Sequence, residues 1–212
     1  MNSMAKEGIP FILLFLIPAI VLGALGLMVG AVLSALLAVF MAFFFRDPDR
    51  RSPAGDDLIV SPADGRVVQI AKLDPKDTAS ATQISIFLSP LDVHINRSPI
   101  AGEIVDAVYK PGSFHIASRD IASVENEQNV VTVKGARLTV VFRQIAGTLA
   151  RRVVFSKKPG DHVSAGERVG LMKFSSRMDV LVPGEAEILI AKGQRVIGGI
   201  TILARVRPST EV

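Results

Sequence analysis

Few residue types in this chain are able to do chemistry. The sequence has no cysteine, which excludes disulfides, thiolate nucleophiles and cysteine-based metal sites. The three histidines, His94, His115 and His162, are far apart in the sequence, so we expect no histidine-rich metal site. Acid–base chemistry near neutral pH would therefore depend on an imidazole working with hydroxyl and carboxylate groups.

His94 is the best candidate to transfer protons, and a buried histidine bonded to the backbone is the alternative. Asp92 precedes it by two residues, would lie on the same face of a strand and would hold the imidazole in position. Arg97 is a candidate for binding a substrate phosphate or carboxylate, with an exposed surface arginine as the alternative. We predict that His115 and His162 lie in exposed loops.

Two adjacent serines, Ser175 and Ser176, lie within residues 170–180 (GLMKFSSRMDV). Paired serines alone are typical of a solvated turn. Here the run resembles the processing site of the short phosphatidylserine decarboxylases, which usually reads Phe-Gly-Ser-Arg-x-Asp-Val. Four more runs resemble motifs of that family in the same order: residues 44–50 (FFRDPDR), 61–65 (SPADG), 88–97 (LSPLDVHINR) and 125–129 (ENEQN).

The resemblance implies a self-cleaving proenzyme. The Ser176 hydroxyl would attack the carbonyl of Ser175, and elimination would leave a β chain of residues 1–175 and an α chain of residues 176–212 that begins with a pyruvoyl group. That covalent cofactor would accept electrons while phosphatidylserine loses carbon dioxide to give phosphatidylethanolamine. This chain departs from the family at Ser175, where glycine is usual, and at Arg97, where longer members have a second histidine.

Asp64, in the SPADG run, has two equally supported interpretations. It would orient a base or assist activation of Ser176, or it would be an ordinary Asp-Gly turn residue. The role of residues 125–129 stays open.

Residues 8–45 contain no charged residue, and one straight helix of that length would run about 57 Å against a hydrocarbon core of about 30 Å. We therefore predict two short helices with a turn near residues 23–30, which gives a membrane anchor of residues 1–51 before a catalytic domain of residues 52–212. A cleaved signal peptide does not fit, because its apolar core is much shorter. Positive charges flank the hairpin at Lys6 and Arg46, so the positive-inside tendency places both flanks on the cytoplasmic side.

After Arg51, short runs rich in Val and Ile alternate with Gly, Pro and Asp turns, which predicts a mainly β domain, a sandwich or barrel-like arrangement of short strands. The predicted strands are residues 66–71, 82–88, 102–109, 130–133, 137–145, 150–155 and 187–191. A short helix is predicted at residues 116–127. Residues 158–166 and 191–199 share the pattern G-x-x-V-x-x-G, which resembles the hairpins of biotinyl/lipoyl domains.

That hairpin pattern supplies the alternative function, a membrane-bound biotinyl or lipoyl carrier modified at Lys173. Register argues against it, because Ser176 rather than Lys173 occupies the position of the modified lysine, and a shift of three residues reverses the strand face.

The net charge of +4 and the shortage of aromatic residues argue against nucleic-acid binding and suit an anionic membrane surface. The expected partners are phosphatidylserine in the membrane and the chain's own α and β chains after cleavage. A homo-oligomer is compatible with the sequence, which does not determine the oligomeric state.

Overall fold

The structure is a computed structural model that describes residues 3–73, 81–117, 119, 121–148, 153–173 and 176–206. It divides into two units, Met1–Asp49 and Arg50–Val212. The fold is mainly β with an N-terminal pair of apolar helices, as the sequence predicted.

The first unit is a helical hairpin. Its elements are β1 (Ser3–Met4), α1 (Ile9–Ala24), α2 (Met28–Phe44) and β2 (Arg46–Asp47), with a 3₁₀ turn at Lys6–Gly8 before α1. Gly26, between the helices, has a φ of 77°, a value that glycine adopts without strain, so the predicted turn near residues 23–30 is confirmed. The two ends of the hairpin lie together, because β1 pairs with β2 and the Ala5 N–H donates to the Phe45 carbonyl at 2.9 Å.

The helices of this unit have apolar surfaces. The stretch Lys6–Ala24 is long and apolar enough to cross a membrane, and α2 is apolar but shorter. Large side chains such as Leu14 (61% exposed) and Val39 (67% exposed) point outward, which in water would be costly and in lipid would not be.

The second unit is built from short antiparallel strands. They are β3 (Leu58–Val60), β4 (Gly65–Lys72), β5 (Ala81–Leu88), β6 (Ile95–Arg97), β7 (Gly102–Lys110), β8 (Gln128–Lys134), β9 (Thr139–Ala146), β10 (Val153–Phe155), β11 (His162–Val163), β12 (Arg168–Met172), β13 (Ser176–Pro183), β14 (Ala186–Ile188), β15 (Arg195–Val196) and β16 (Ile202–Val206). A four-residue helix, α3 (Ala122–Glu125), precedes β8.

Three sheets surround one core. Eight strands form a curled half-barrel in the order β11-β7-β8-β9-β13-β5-β4-β15, and two three-stranded sheets have the orders β10-β12-β6 and β14-β16-β3. Valine and isoleucine alternate along the long strands, so that every second side chain enters the core; on β13 these are Met178, Val180 and Val182. Ser176 lies on the same face of β13 as these three residues.

The two glycine–valine segments form matching edges of the large sheet. Val163 of β11 and Val196 of β15 are both buried, at opposite edges of the eight strands. The glycines that bound each segment have positive φ: Gly160 (91°), Gly166 (73°), Gly193 (89°) and Gly199 (74°). This matches the predicted hairpin pattern, in which glycine supplies the turn and valine fills the core.

The predicted helix at residues 116–127 is wrong in extent, since α3 covers Ala122–Glu125. The Asn126 side chain competes with helix formation: its Oδ1 accepts from the His115 N–H at 2.8 Å, and its Nδ2 donates to the carbonyls of His115 (2.8 Å) and Ala146 (2.7 Å). These bonds hold the chain around His115 extended against the end of β9. Of the predicted strand at residues 150–155, residues 150–152 lie outside the described residues.

Candidate active site

Ser176 is the first residue of a central strand. It pairs with Leu88 of β5 on one side and with Ala146 of β9 on the other. The residue is fully buried, and its Oγ has no hydrogen-bond partner in the described part of the chain. A buried hydroxyl left without a partner costs about 1–3 kcal/mol, so such groups are rare and call for a functional explanation. Ser175, the other half of the predicted cleavage pair, lies outside the described residues.

Two chain connections bring Ser176 and His94 to the same region. Residues 89–94 lead from β5 to β6, and residues 173–175 lead from β12 to β13. β5 pairs with β13, and β6 pairs with β12. Each connection therefore leads between the β5–β13 pair and the β6–β12 pair. The Met172 N–H donates to the His94 carbonyl at 3.2 Å, and Ser176 follows Met172 by four residues, a span of about 14 Å at most.

The His94 ring is held in a defined state. His94 is fully buried, and its Nδ1 lies 3.0 Å from the backbone carbonyl of Asp92. A carbonyl can only accept, so Nδ1 carries the proton in the neutral ring and Nε2 has the lone pair. This tautomer leaves Nε2 able to take a proton, as a general base requires.

The Asp92 carboxylate does not hold the imidazole in the way that its spacing predicted. Its Oδ2 accepts from the Ser89 N–H at 2.8 Å, and its Oδ1 pairs with Arg195 at 2.8 Å. The backbone carbonyl of Asp92, rather than its side chain, contacts the ring of His94. Asp92 therefore shapes the connection that presents His94, because its carboxylate closes the Ser89–Asp92 turn.

Asp64 lies at the same end of the sheet as Ser176 but two strands away. Phe87 of β5 pairs with Arg66 of β4 on one side and with Arg177 of β13 on the other. The residue after Asp64 is therefore level with Ser176, and two strand spacings separate them by about 10 Å. The Asp64 carboxylate accepts from Arg50 Nη2 and from the Gly198 N–H, both at 2.8 Å.

Arg97 is buried, with 7% of its surface exposed, so the alternative of an exposed arginine is wrong. Its Nη1 donates to the carbonyl of Gly166 at 3.0 Å, and its backbone N–H donates to the carbonyl of Pro62 at 2.8 Å. His115 and His162 are exposed, as predicted, but His162 lies in strand β11 and not in a loop. The His115 ring pairs with Glu125 at 2.9 Å.

Behind Ser176, a charged pair is buried on the opposite face of β13. Arg177 and Asp179 are both fully buried, and Arg177 Nε donates to Asp179 Oδ1 at 2.7 Å. Arg177 Nη2 also donates to Gln69 (2.7 Å) and Ser85 (2.6 Å), and the Ser123 hydroxyl donates to Asp179 Oδ2 at 2.6 Å. These bonds fix the backbone immediately after Ser176.

A chain of three buried amides lies on the same face of the sheet as Ser176. Asn129 Nδ2 donates to Gln144 Oε1 at 3.1 Å, and Gln144 Nε2 donates to Asn96 Oδ1 at 2.8 Å. Gln144 is opposite Met178, two residues from Ser176, and diagonal neighbours of this kind have Cβ atoms about 7 Å apart. The chain therefore lies beside Ser176 and ends at Asn96, two residues after His94.

Residues 125–129, whose role was open, contribute to the polar surroundings of Ser176. Asn126 fastens the His115 loop to the carbonyl of Ala146, the strand partner of Ser176, and Asn129 begins the amide chain. Sequence reasoning missed Asn96, Gln144, Arg177 and Asp179 as site residues. The signal available for Asn96 was its position two residues after His94, on the same face of an extended segment.

The fold and this site define a class: a mainly β enzyme with a buried serine and a buried histidine on adjoining connections, and with no cysteine in the chain. Comparison with known sequences gives the family. A family model described as phosphatidylserine decarboxylase matches residues 37–204.

Relatives named phosphatidylserine decarboxylase proenzyme agree with this match. The relative from Solibacter usitatus (strain Ellin6076) is 55% identical over 170 residues, 80% of each chain. The relative from Solidesulfovibrio magneticus is 42% identical over 207 residues, 96% of each chain, and that from Citrifermentans bemidjiense is 40% identical over 212 residues, 95% of this chain and 96% of the relative. The chain belongs to the phosphatidylserine decarboxylase family.

Proposed function

We propose that this chain is a membrane-anchored phosphatidylserine decarboxylase that makes a pyruvoyl group from Ser176 and forms phosphatidylethanolamine at the cytoplasmic membrane face. The observation that carries the proposal is the buried Oγ of Ser176, at the start of a central strand, which makes no hydrogen bond to any residue that the structure describes. Family membership favours this activity over the carrier alternative.

The residues around Ser176 fit a serine that is converted into a pyruvoyl group. Its Oγ makes no hydrogen bond within the described residues that would have to be broken before attack, and His94 Nε2 has the lone pair needed to accept the hydroxyl proton. When present, the pyruvoyl group supplies an electron sink for loss of carbon dioxide from an amino acid head group. His94 would return a proton to the substrate carbon, because an imidazole near neutral pH can both accept and donate.

Cleavage before Ser176 would leave the two products interlocked. The α chain of residues 176–212 would begin with β13, which is paired with β5 and β9 of the β chain on both sides. β16 would also stay paired with β3, and β15 with β4. We therefore propose that the α and β chains remain associated through sheet hydrogen bonds and the common core.

The helical hairpin would act as a tether to the membrane that contains the substrate. It is joined covalently to the catalytic unit at Arg50, so it would raise the local concentration of substrate without new binding contacts. Lys6 and Arg46 lie at the adjacent ends of the hairpin, which supports the cytoplasmic orientation. We expect removal of residues 1–45 to reduce activity on vesicles far more than on a short-chain soluble substrate, and equal losses on both would contradict the tether.

The experiment that tests the assignment is the intact mass of the purified chain under denaturing conditions. We expect two fragments, with the smaller one beginning at residue 176 and bearing a pyruvoyl end. Ser176→Ala should abolish both cleavage and decarboxylation, and Ser175→Gly should preserve or speed cleavage. A matched control is Ser61→Ala, which removes another fully buried serine hydroxyl, one that donates to the Ala63 carbonyl at 2.7 Å.

A Ser176→Ala chain that stays uncleaved and still decarboxylates phosphatidylserine would overturn the proposal. Loss of activity in Ser61→Ala as well would show only that the domain does not tolerate the removal of a buried hydroxyl.

A further inference from the structure

Large apolar side chains are exposed on the segment between β7 and β8. Ile116 is 49% exposed, Ile121 is 43% exposed, and Val124 is 78% exposed, slightly more than Val29 of the apolar helix α2 at 76%. Exposed apolar side chains that are scattered singly are normal, but three on one short segment indicate a contact surface. We call these three side chains the apolar surface.

Buried polar bonds hold this segment to the sheet. The Ser123 hydroxyl donates to Asp179 Oδ2 at 2.6 Å, and Arg177 Nη1 donates to the Arg119 carbonyl at 3.3 Å. Both bonds belong to the fully buried pair of Arg177 and Asp179, which the chemistry proposed at Ser176 does not use. The pair therefore fixes a segment that presents apolar side chains to its surroundings.

The apolar surface lies near the end of the sheet where β13 begins. Asn126, two residues after Val124, donates from Nδ2 to the carbonyl of Ala146 at 2.7 Å, and Ala146 is a strand partner of Ser176. On the other side of Ser176, its partner Leu88 is followed three residues later by Leu91, which is 64% exposed. Exposed apolar side chains thus follow from both strands that neighbour Ser176.

Basic side chains lie at the same end of the sheet. One row of paired residues crosses the sheet at Arg177, and in chain pairing it contains Arg195, Arg66, Phe87, Arg177, Ile145, Gln128 and Lys110. The residues at its two edges, Arg195, Arg66 and Lys110, are exposed. Positive charge beside apolar side chains suits a surface of anionic lipid head groups.

The chain from the apolar hairpin enters the second unit at this end of its sheet. Arg50, the first residue of the unit, donates from Nη2 to Asp64 Oδ2 at 2.8 Å, and Asp64 is at the same end of the sheet as Ser176. A bilayer that contains the hairpin is therefore connected through the chain to the end that has the apolar surface. This connection favours lipid over a second protein as the occupant.

We propose that the apolar surface, together with Leu91, inserts into the lipid bilayer and holds the Ser176 end of the sheet against the head groups. The hairpin keeps the chain at the membrane, and the apolar surface orients the catalytic unit on it. The advantage for catalysis rests on the proposed function, because a substrate that is itself a lipid would then meet the site without leaving the bilayer. The contact with lipid does not depend on the chemistry and is measured separately.

The first test uses tryptophan as a depth probe. The sequence has no tryptophan, so Val124→Trp gives the full chain a single fluorescent indole. The purified chain is reconstituted into vesicles of phosphatidylcholine and phosphatidylglycerol, with or without bromine on the acyl chains. We expect its emission to shift to shorter wavelength relative to the control variant and to fall about twofold or more in brominated lipid, because interfacial segments bury apolar side chains about 5–10 Å into the boundary of head groups and acyl chains.

The matched control is Val105→Trp. Val105 is 42% exposed and precedes Asp106, which is level with Thr132, Val141 and Leu181. Leu181 is five residues after Ser176, about 17 Å along β13, so Val105 lies toward the other end of the sheet. We expect brominated lipid to leave the emission of this variant unchanged.

The second test is activity on two forms of the substrate. Val124→Glu should lower kcat/KM for phosphatidylserine in vesicles by about tenfold, since it replaces an apolar side chain buried in lipid with a charged one. The same variant should retain kcat/KM for a short-chain soluble phosphatidylserine. Val105→Glu should leave both values unchanged.

The outcomes separate this inference from the proposed function. If the wild-type chain does not decarboxylate phosphatidylserine, the proposed function fails, and quenching of Val124→Trp still supports the lipid contact. If the wild type is active but brominated lipid quenches Val124→Trp no more than Val105→Trp, the inference alone is overturned. Emission of Val124→Trp that is shifted to shorter wavelength but not quenched would also overturn it, since a second copy of the chain rather than lipid would then cover the apolar surface.

Discussion

Asp179→Asn tests whether the buried ion pair behind Ser176 determines the stability of the domain. The change keeps the shape of the side chain and removes its charge. The fully buried Arg177 guanidinium would then lose the negative charge of Asp179, while Gln69 and Ser85 would still accept from Nη2. Breaking a fully buried pair by neutralising one partner costs about 3–5 kcal/mol.

The size of the expected melting shift follows from the chain length. For domains of about 150–250 residues, each kcal/mol lowers Tm by about 2–4 °C, so Asp179→Asn should lower Tm by about 6–20 °C. The assay is thermal unfolding by circular dichroism in detergent. Both chains carry Ser176→Ala, so that each is a single uncleaved polypeptide and comparison of its unfolding transitions is meaningful.

The matched control is Asp57→Asn. Asp57 and Arg205 form a pair at 3.6 Å with side chains 32% and 52% exposed, and such surface pairs contribute about 0–1 kcal/mol. The same chemical change there should lower Tm by less than about 4 °C. If Asp179→Asn shifts Tm no more than Asp57→Asn, the reasoning that burial gives the pair its importance is refuted.

A paired replacement sharpens the test. Arg177→Met combined with Asp179→Leu removes both charges and fills the space with apolar atoms. Buried pairs replaced in this way often lose little stability, so the double variant should unfold at a higher temperature than Asp179→Asn. A double variant that loses the sum of both single losses would mean that the two side chains do not interact.

Two further predictions concern the strands around the site. Gly170→Ala should destabilise the domain by about 1–3 kcal/mol, because the added Cβ would collide with the Val154 carbonyl and lie 2.8 Å from Gln144 Nε2; thermal unfolding measures it. Burial raises the pKa of Glu167, but the hydrogen bond and charge of Lys157 and a backbone N–H lower that pKa further, so the net shift is downward. Glu167 therefore stabilises the fold above its unfolded pKa of about 4.3 and stops doing so as the pH falls through its folded pKa, and Glu167→Gln should lower Tm at pH 7 more than at pH 3.

Contrary results are easy to recognise. An unchanged Tm for Gly170→Ala would show that β10 moves away at no cost. A Tm difference between wild type and Glu167→Gln that is the same at pH 7 and pH 3 would show that the charge of Glu167 does not stabilise the fold.

The strands and the helical hairpin were predictable because each depends on local pattern. Alternating valine and isoleucine specify a strand with one buried face, and an uncharged run of this length with Gly26 inside specifies two helices with a turn between them. The true extent of the helix predicted at residues 116–127 did not follow from local pattern. The extent of this helix depends on Asn126, whose side-chain amide donates to the carbonyl of Ala146, twenty residues later in the chain.

The site was predictable only where one stretch of sequence contains the chemistry. Ser176 and His94 stand out in their own segments, but Gln144 is in an ordinary strand and meets Asn96 across 48 residues. The alternation of Arg177, Met178 and Asp179 is typical of a strand with one solvated face. Both charged residues are nevertheless fully buried, because Ser123 and the Arg119 carbonyl cover that face of the sheet.

The internal repeat of the domain bears on the two interpretations of Asp64. Ser61 and Ser98 begin equivalent turns, and their hydroxyls donate to the carbonyl two residues later at the same distance, 2.7 Å. At the position of Asp64 the second turn has Ala101, so this turn forms without a carboxylate. Turn formation alone therefore does not account for Asp64. What its carboxylate adds is the bond to Gly198 and the pairing with Arg50, the first residue of the unit, so that it fastens the start of the domain at the end of the sheet where Ser176 lies.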